Sequence, residues 1–108
     1  MTGVLSRKST DLADLTATEL LAAFAAGEAT PSQAVDACLA RIAATDDAHN
    51  AVLLLLADQA RAAAAESDAR WAAGTARPLE GVPFGLKDIV ATAGITTTGG
   101  SSLYRDFV

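Results

Sequence analysis

The sequence predicts an α/β fold, with helices at the N-terminal end followed by a strand–helix–strand unit. Three observations carry this expectation. Two early stretches open with complete sets of helix-starting residues. Two apolar runs, at 52–56 and 82–86, are too short for helices and are bounded by polar or turn residues. An alanine-rich stretch with strong helix propensity separates them.

The elements follow in order. Residues 1–14 read as a flexible polar leader, with no apolar segment of the kind a signal peptide needs. Residues 15–108 read as the truncated N-terminal part of one larger domain. In "LTATELLAAFAAG", Thr16 is the N-cap and Glu19 completes a capping box. Leu15 and Leu20 have staple spacing, and Gly27 ends the helix. In "TPSQAVDACLARIAATD", Thr30 caps, Pro31 takes the first helical position and Gln33 completes the box. Val35, Cys38, Leu39 and Ile42 form its apolar stripe. The run at 52–56 suits a strand buried on both faces. A third helix is expected from about Asp58 to Ala73, then a turn through "TARPLEG", then a strand at 82–86. Such a βαβ unit has parallel strands and a right-handed crossover. Beyond Asp88, "TAGITTTGGSS" reads as loop. Two strands do not make a stable sheet, so the unit needs further strands from a larger domain or from a partner.

Composition sets limits. The 108 residues allow one small domain at most. They are 51% hydrophobic, but 26 are alanine and only 5% are aromatic, so the core is thin. A net charge of −5 argues against contact with nucleic acid, which wants a basic face. The single cysteine, Cys38, excludes an internal disulfide and fits a cytoplasmic setting. The apolar run at residues 51–57 is far too short to cross a membrane.

The chemistry is concentrated in "PLEGVPFGLKD", residues 78–88. On a strand of period two, Val82, Phe84 and Leu86 face one side, and Pro83, Gly85 and Lys87 the other. Gly85 leaves room for another segment beside Lys87. A lysine at the carboxyl end of a strand stands where α/β sheets place their sites, and burial there would lower its pKa toward that of a base. A solvated strand end is the other reading, and pattern alone leaves both open.

The run "GTARPLEGVPFGLKDIVATAGITTTGGSSL" closely resembles the amidase signature family. Its pattern, P-L-x-G-V-P-x-x-x-K-D, then A-G, then T-T-x-G-S, is met by Pro78, Leu79, Gly81, Val82, Pro83, Lys87 and Asp88, by Ala93 and Gly94, and by Thr97, Thr98, Gly100 and Ser101. Thr96 and Gly99 depart from it within a loop. The likeness extends over about residues 15–106. It implies a larger mixed-sheet amidase domain that hydrolyses carbon–nitrogen amide bonds through a Ser–cis-Ser–Lys triad, with Lys87 as the base. A serine is a poor nucleophile until a base relieves it of its proton, and backbone N–H groups would hold the oxyanion. Asp88 is expected to orient the following turn.

The family's two serines lie in a downstream G-G-S-S-G-G-type loop that this chain lacks. "TGGSSLY" at 98–104 imitates it, but Leu103 and Tyr104 stand where the following glycines should be, so Ser101 and Ser102 are expected to be turn residues. The chain alone is therefore expected to be inactive. The resemblance implies a small-molecule amide substrate for the complete enzyme, and a homodimer or an amidotransferase complex as assembly. A tRNA-dependent amidotransferase that uses the triad to release ammonia from glutamine is the alternative. A non-catalytic binding or scaffolding remnant is an alternative of another class. No cofactor or metal is implied: the glycines lack nucleotide-binding spacing and His49 has no ligand-type neighbour at useful spacing. Cys38 is expected in the core, and Trp71 as packing at the end of the third helix.

Overall fold

A computed structural model describes residues 11–108. The expected leader falls largely on residues 1–10, outside the described residues. Three helices form the body: α1 (Ala17–Ala26), α2 (Pro31–His49) and α3 (Ala57–Ala73). Short 3-10 helices lie at Leu12–Asp14 and Ser102–Tyr104.

The helix starts follow from their caps. Thr16 Oγ1 accepts from the Glu19 amide, and the Glu19 carboxylate accepts from the Thr16 amide. Thr30 and Gln33 repeat the arrangement at α2, with Pro31 at the first turn. Each box satisfies two amides that a helix start otherwise leaves without partners. α1 ends at Gly27 and α3 at Gly74, both left-handed, and α2 at Asn50, the one non-glycine residue with positive φ among the described residues. Asp46 reinforces that exit by accepting from the Ala51 and Val52 amides. α3 starts without a side-chain cap.

α2 and α3 run antiparallel. The Ser32 amide and hydroxyl both donate to Asp68, at 3.0 and 2.5 Å, and Arg61 pairs with Asp36 at 3.3 Å further along. Ala64, on the α3 face that carries Arg61 and Asp68, is buried, and Ala34 of α2 is buried in the cluster with Leu20, Ala23 and Phe24 of α1. α1 closes the body through Leu20, Ala23 and Phe24, and the ring of Phe24 meets that of Trp71 edge-on at 5.9 Å. The 3-10 helix at Leu12–Asp14 is held to α2 by Arg41, which pairs with Asp11 and Asp14. Both pairs are more than a third exposed, so water screens them and they position the segment more than they stabilise it.

The structure corrects the expected βαβ unit. The helix between the two apolar runs is there, but no strand forms among the described residues; the single bridge joins Thr92 and Ile95. Residues 52–56 and 82–86 make no backbone hydrogen bonds to one another. A strand exists only by pairing, and neither run meets a partner among the described residues. Their apolar residues are left in the open: Leu53 is 72% and Phe84 82% exposed. The expected alternation at 82–86 therefore buries nothing; only Val82 and Pro83 are half-buried, where the chain leaves the helices. The α2 stripe also divides. All four line an open groove, but only Val35 is buried; Cys38, Leu39 and Ile42 are half-buried.

Candidate active site

The segment carrying Lys87 is pinned at both ends. At its root the chain makes overlapping turns, with Glu80 N–H donating to the Arg77 carbonyl at 3.0 Å and Val82 N–H to that of Leu79 at 3.2 Å. Gly81 adopts φ +87°, a conformation that L side chains rarely take. A Cβ there would stand 2.4 Å from Pro31 Cγ, so glycine lets the turn sit against α2. Residues 82–87 then run without helix or strand. At the far end, Val90 N–H closes a turn onto the Lys87 carbonyl at 3.0 Å.

Asp88 ties that turn to the next loop. Its carboxylate accepts from the Thr98 amide at 2.9 Å and from the Thr98 hydroxyl, while its carbonyl accepts from the Gly99 amide at 2.9 Å. The Thr98 hydroxyl and amide hold the carboxyl below the usual carboxylate range, against the opposing effect of desolvation. The first and last blocks of the signature, Lys87-Asp88 and the threonine–glycine run, are thus joined by direct hydrogen bonds.

Lys87 is exposed and lines an open groove of about 1,360 Å³. α2 and α3 line it through Val35, Leu39, Ile42 and Ala60, together with residues 51–56 and 79–88. The lysine makes no side-chain hydrogen bond or ion pair with the described residues. Gly85 has open space where a Cβ would project. Ser101 and Ser102 do not line the groove. Ser101 Oγ caps the last 3-10 helix by accepting from the Leu103 amide, and the Ser102 carbonyl accepts from Arg105. Cys38 is half-buried, and burial raises its thiol pKa above the usual value. His49 is the exposed last residue of α2. Among the described residues, no group of three or more His, Cys, Asp or Glu is placed to hold a metal ion. None of their helices is long and apolar enough to cross a membrane.

The largest omission from the sequence reading is Glu80, which is 3% exposed and surrounded by donors. Its Oε1 accepts from the Arg77 amide and Nε, and its Oε2 from Arg77 Nη2 and, at 2.5 Å, from Ser67 Oγ. Arg70 stands 3.5 Å away, and the Trp71 indole donates to the Glu80 carbonyl at 3.0 Å. The hydrogen bonds from Arg77 and Ser67 bring its pKa down to about 2. The only signal in the sequence was the three-residue spacing of Arg77 and Glu80; Ser67 was hidden in an alanine-rich helix face.

Comparison with known proteins decides the family. The Amidase family model matches residues 33–108, most of the chain and the whole of the Lys87 segment. The chain belongs to the amidase family. Its curated relatives include proteins named as the A subunit of glutamyl-tRNA(Gln) amidotransferase. That of Myxococcus xanthus is 49% identical over 98 residues, that of Geobacter sulfurreducens 46% over 98, and that of Roseiflexus sp. 42% over 97. These alignments cover 90–91% of this amidase chain but 20% of each relative, so the chain spans about a fifth of their length. No solved structure matches it.

Proposed function

We propose that this chain is the opening part of an amidase domain, and that Lys87 is the base of a Ser–cis-Ser–Lys triad whose serines come from later in that domain. In this reading residues 15–108 are the N-terminal piece of a larger mixed-sheet domain, and the apolar runs at 52–56 and 82–86 become strands when its other strands arrive. The observation that carries the proposal is the position of Lys87: at the open groove, between two pinned turns, inside the family-matched region. As the second serine attacks the amide carbonyl, its proton passes through the bridging serine to Lys87; the C–N bond then breaks, the amine leaves with that proton, and water resolves the acyl-enzyme to the acid. The substrate is a small-molecule amide and the setting cytoplasmic. The net charge of −5 argues against nucleic-acid contact by this segment.

A second reading is favoured by the relatives' names: the A chain of an amidotransferase complex, in which the same chemistry releases ammonia from glutamine. Two measurements on the full-length enzyme test both. Lys87→Ala should lower kcat/KM by about 10²-fold or more with the fold retained, and activity within a few-fold of the parent would refute the base assignment. Turnover of glutamine far above that of simple aryl amides selects the amidotransferase reading; the reverse selects the hydrolase.

A further inference from the structure

Glu80 occupies the slot that the signature pattern leaves open, between Leu79 and Gly81. It is nonetheless the most heavily bonded side chain in the segment. Three residues on one face of α3, Ser67, Arg70 and Trp71, all reach it, and Arg77 closes on it from within the turn. Trp71 in turn packs on Phe24 of α1, and the adjacent Gly81 seats against Pro31 of α2. The turn at 77–81 is therefore anchored to all three helices, with the Glu80 carboxylate at the centre.

A buried carboxylate is a costly way to fill such a junction. Buried ion pairs are often no more stabilising than apolar side chains of the same size, but they demand one arrangement of their donors. An apolar residue could slide; Glu80 must meet Ser67 and the Arg77 guanidinium together. The consequence falls on Lys87. Residues 84–87 are exposed, and among the described residues the root and the Asp88–Thr98 tie are what fix their course. Lys87 lies six residues beyond Gly81, a reach of about 20 Å when extended. A root free to rotate would move the lysine by several ångströms, and misplacement by about 1 Å can cost 10²-fold in rate.

We propose that Glu80, held by Ser67 and Arg77, is a positioning residue for Lys87: a latch that fixes where and in which direction the lysine segment leaves the three-helix body. The inference rests on the reading of Lys87 as the base, and its test separates the two. The full-length enzyme is compared with Glu80→Gln, Ser67→Ala and Lys87→Ala, reading kcat, KM and hydrogen exchange resolved by peptide. For Glu80→Gln, kcat should fall at least 10-fold with KM within about 3-fold. Exchange across residues 77–88 should quicken about 10-fold while α1 and α2 stay protected. Ser67→Ala removes one donor and should show the same pattern at roughly a third of the size, which serves if Glu80→Gln does not fold. Unchanged kcat and unchanged exchange in a folded Glu80→Gln or Ser67→Ala variant would overturn the latch. So would loosening spread evenly over all three helices, which marks a merely structural residue. If Lys87→Ala stays active, the base assignment fails, and exchange across 77–88 in the other two variants still decides whether Glu80 fixes the segment.

Discussion

Gly81 and Glu80 are neighbours, yet they were legible to different degrees. Glycine at the signature position has a local reason: positive φ together with a 2.4 Å approach to Pro31. Gly81→Ala must strain its backbone, push Pro31 aside, or lift the turn off α2, and overpacking of this kind costs about 1–3 kcal/mol. The expected result is local opening of residues 79–82 made easier by about 2 kcal/mol, read as roughly 30-fold faster hydrogen exchange there. Exchange equal to the parent's would show that α2 yields without cost. Glu80 gave no comparable sign. Its importance comes from Ser67 and Trp71, 13 and 9 residues earlier, and only the folding of α3 against the turn brings them together. A side chain whose partners lie on another element cannot be valued from its own segment.

At the scale of elements, the helices were readable because their starting signals are local. Thr16 with Glu19, and Thr30 with Gln33, satisfy amides within three residues, and the structure places both boxes as the spacing predicts. The strands were not, because a strand's hydrogen bonds belong to its neighbours. Residues 52–56 have strand composition, but no partner segment lies beside them here. The turn at 77–81 is an element of a third kind, held by charge, and so it responds to pH. Its carboxylate faces Arg77 within the turn and Arg70 on α3; Glu66 acts on Arg77, and the residues it meets through Gly81 on α1 and α2, Phe24 and Pro31, are uncharged. The folded pKa of Glu80 is about 2, below the ordinary 4.5. Its contribution is therefore full above about pH 4.5 and is lost as the pH falls toward 2. Trp71, the single tryptophan, reports on this through its bond to the Glu80 carbonyl. Its emission should hold steady from pH 7 through 4.5 and shift only as the pH nears about 2, where the folded carboxyl takes up its proton; in Glu80→Gln that acid step should vanish. A step of equal size in the variant would assign the transition to other carboxylates.

For the molecule as a whole, the decisive fact is how little of its apolar surface is covered. Among the described residues, the buried core amounts to a few side chains around Phe24, Ala34 and Val35. Outside it, Leu53, Leu54, Leu55, Phe84, Leu86 and Ile89 are about half exposed or more, and the groove that both apolar segments line together with the helices stands open. Exposed apolar area on this scale marks a surface made for contact, and a body so thinly packed unfolds with little cooperativity. Chemical denaturation of the 108-residue chain by itself should therefore give a broad, shallow transition or aggregation; a sharp two-state transition of a monomer would contradict this. The same openness bears on chemistry. Acyl transfer needs base, relay hydroxyl, nucleophile and oxyanion donors held together with water excluded. Here Lys87 lines the groove, while Ser101 and Ser102 lie outside it, engaged in the last 3-10 helix and its turn. The isolated chain should accordingly show no turnover of simple aryl amides above the background of its Lys87→Ala and Ser102→Ala variants. Turnover by the parent that disappears in both variants would instead identify the "TGGSS" turn as the nucleophile loop and require that turn to swing into the groove beside Lys87.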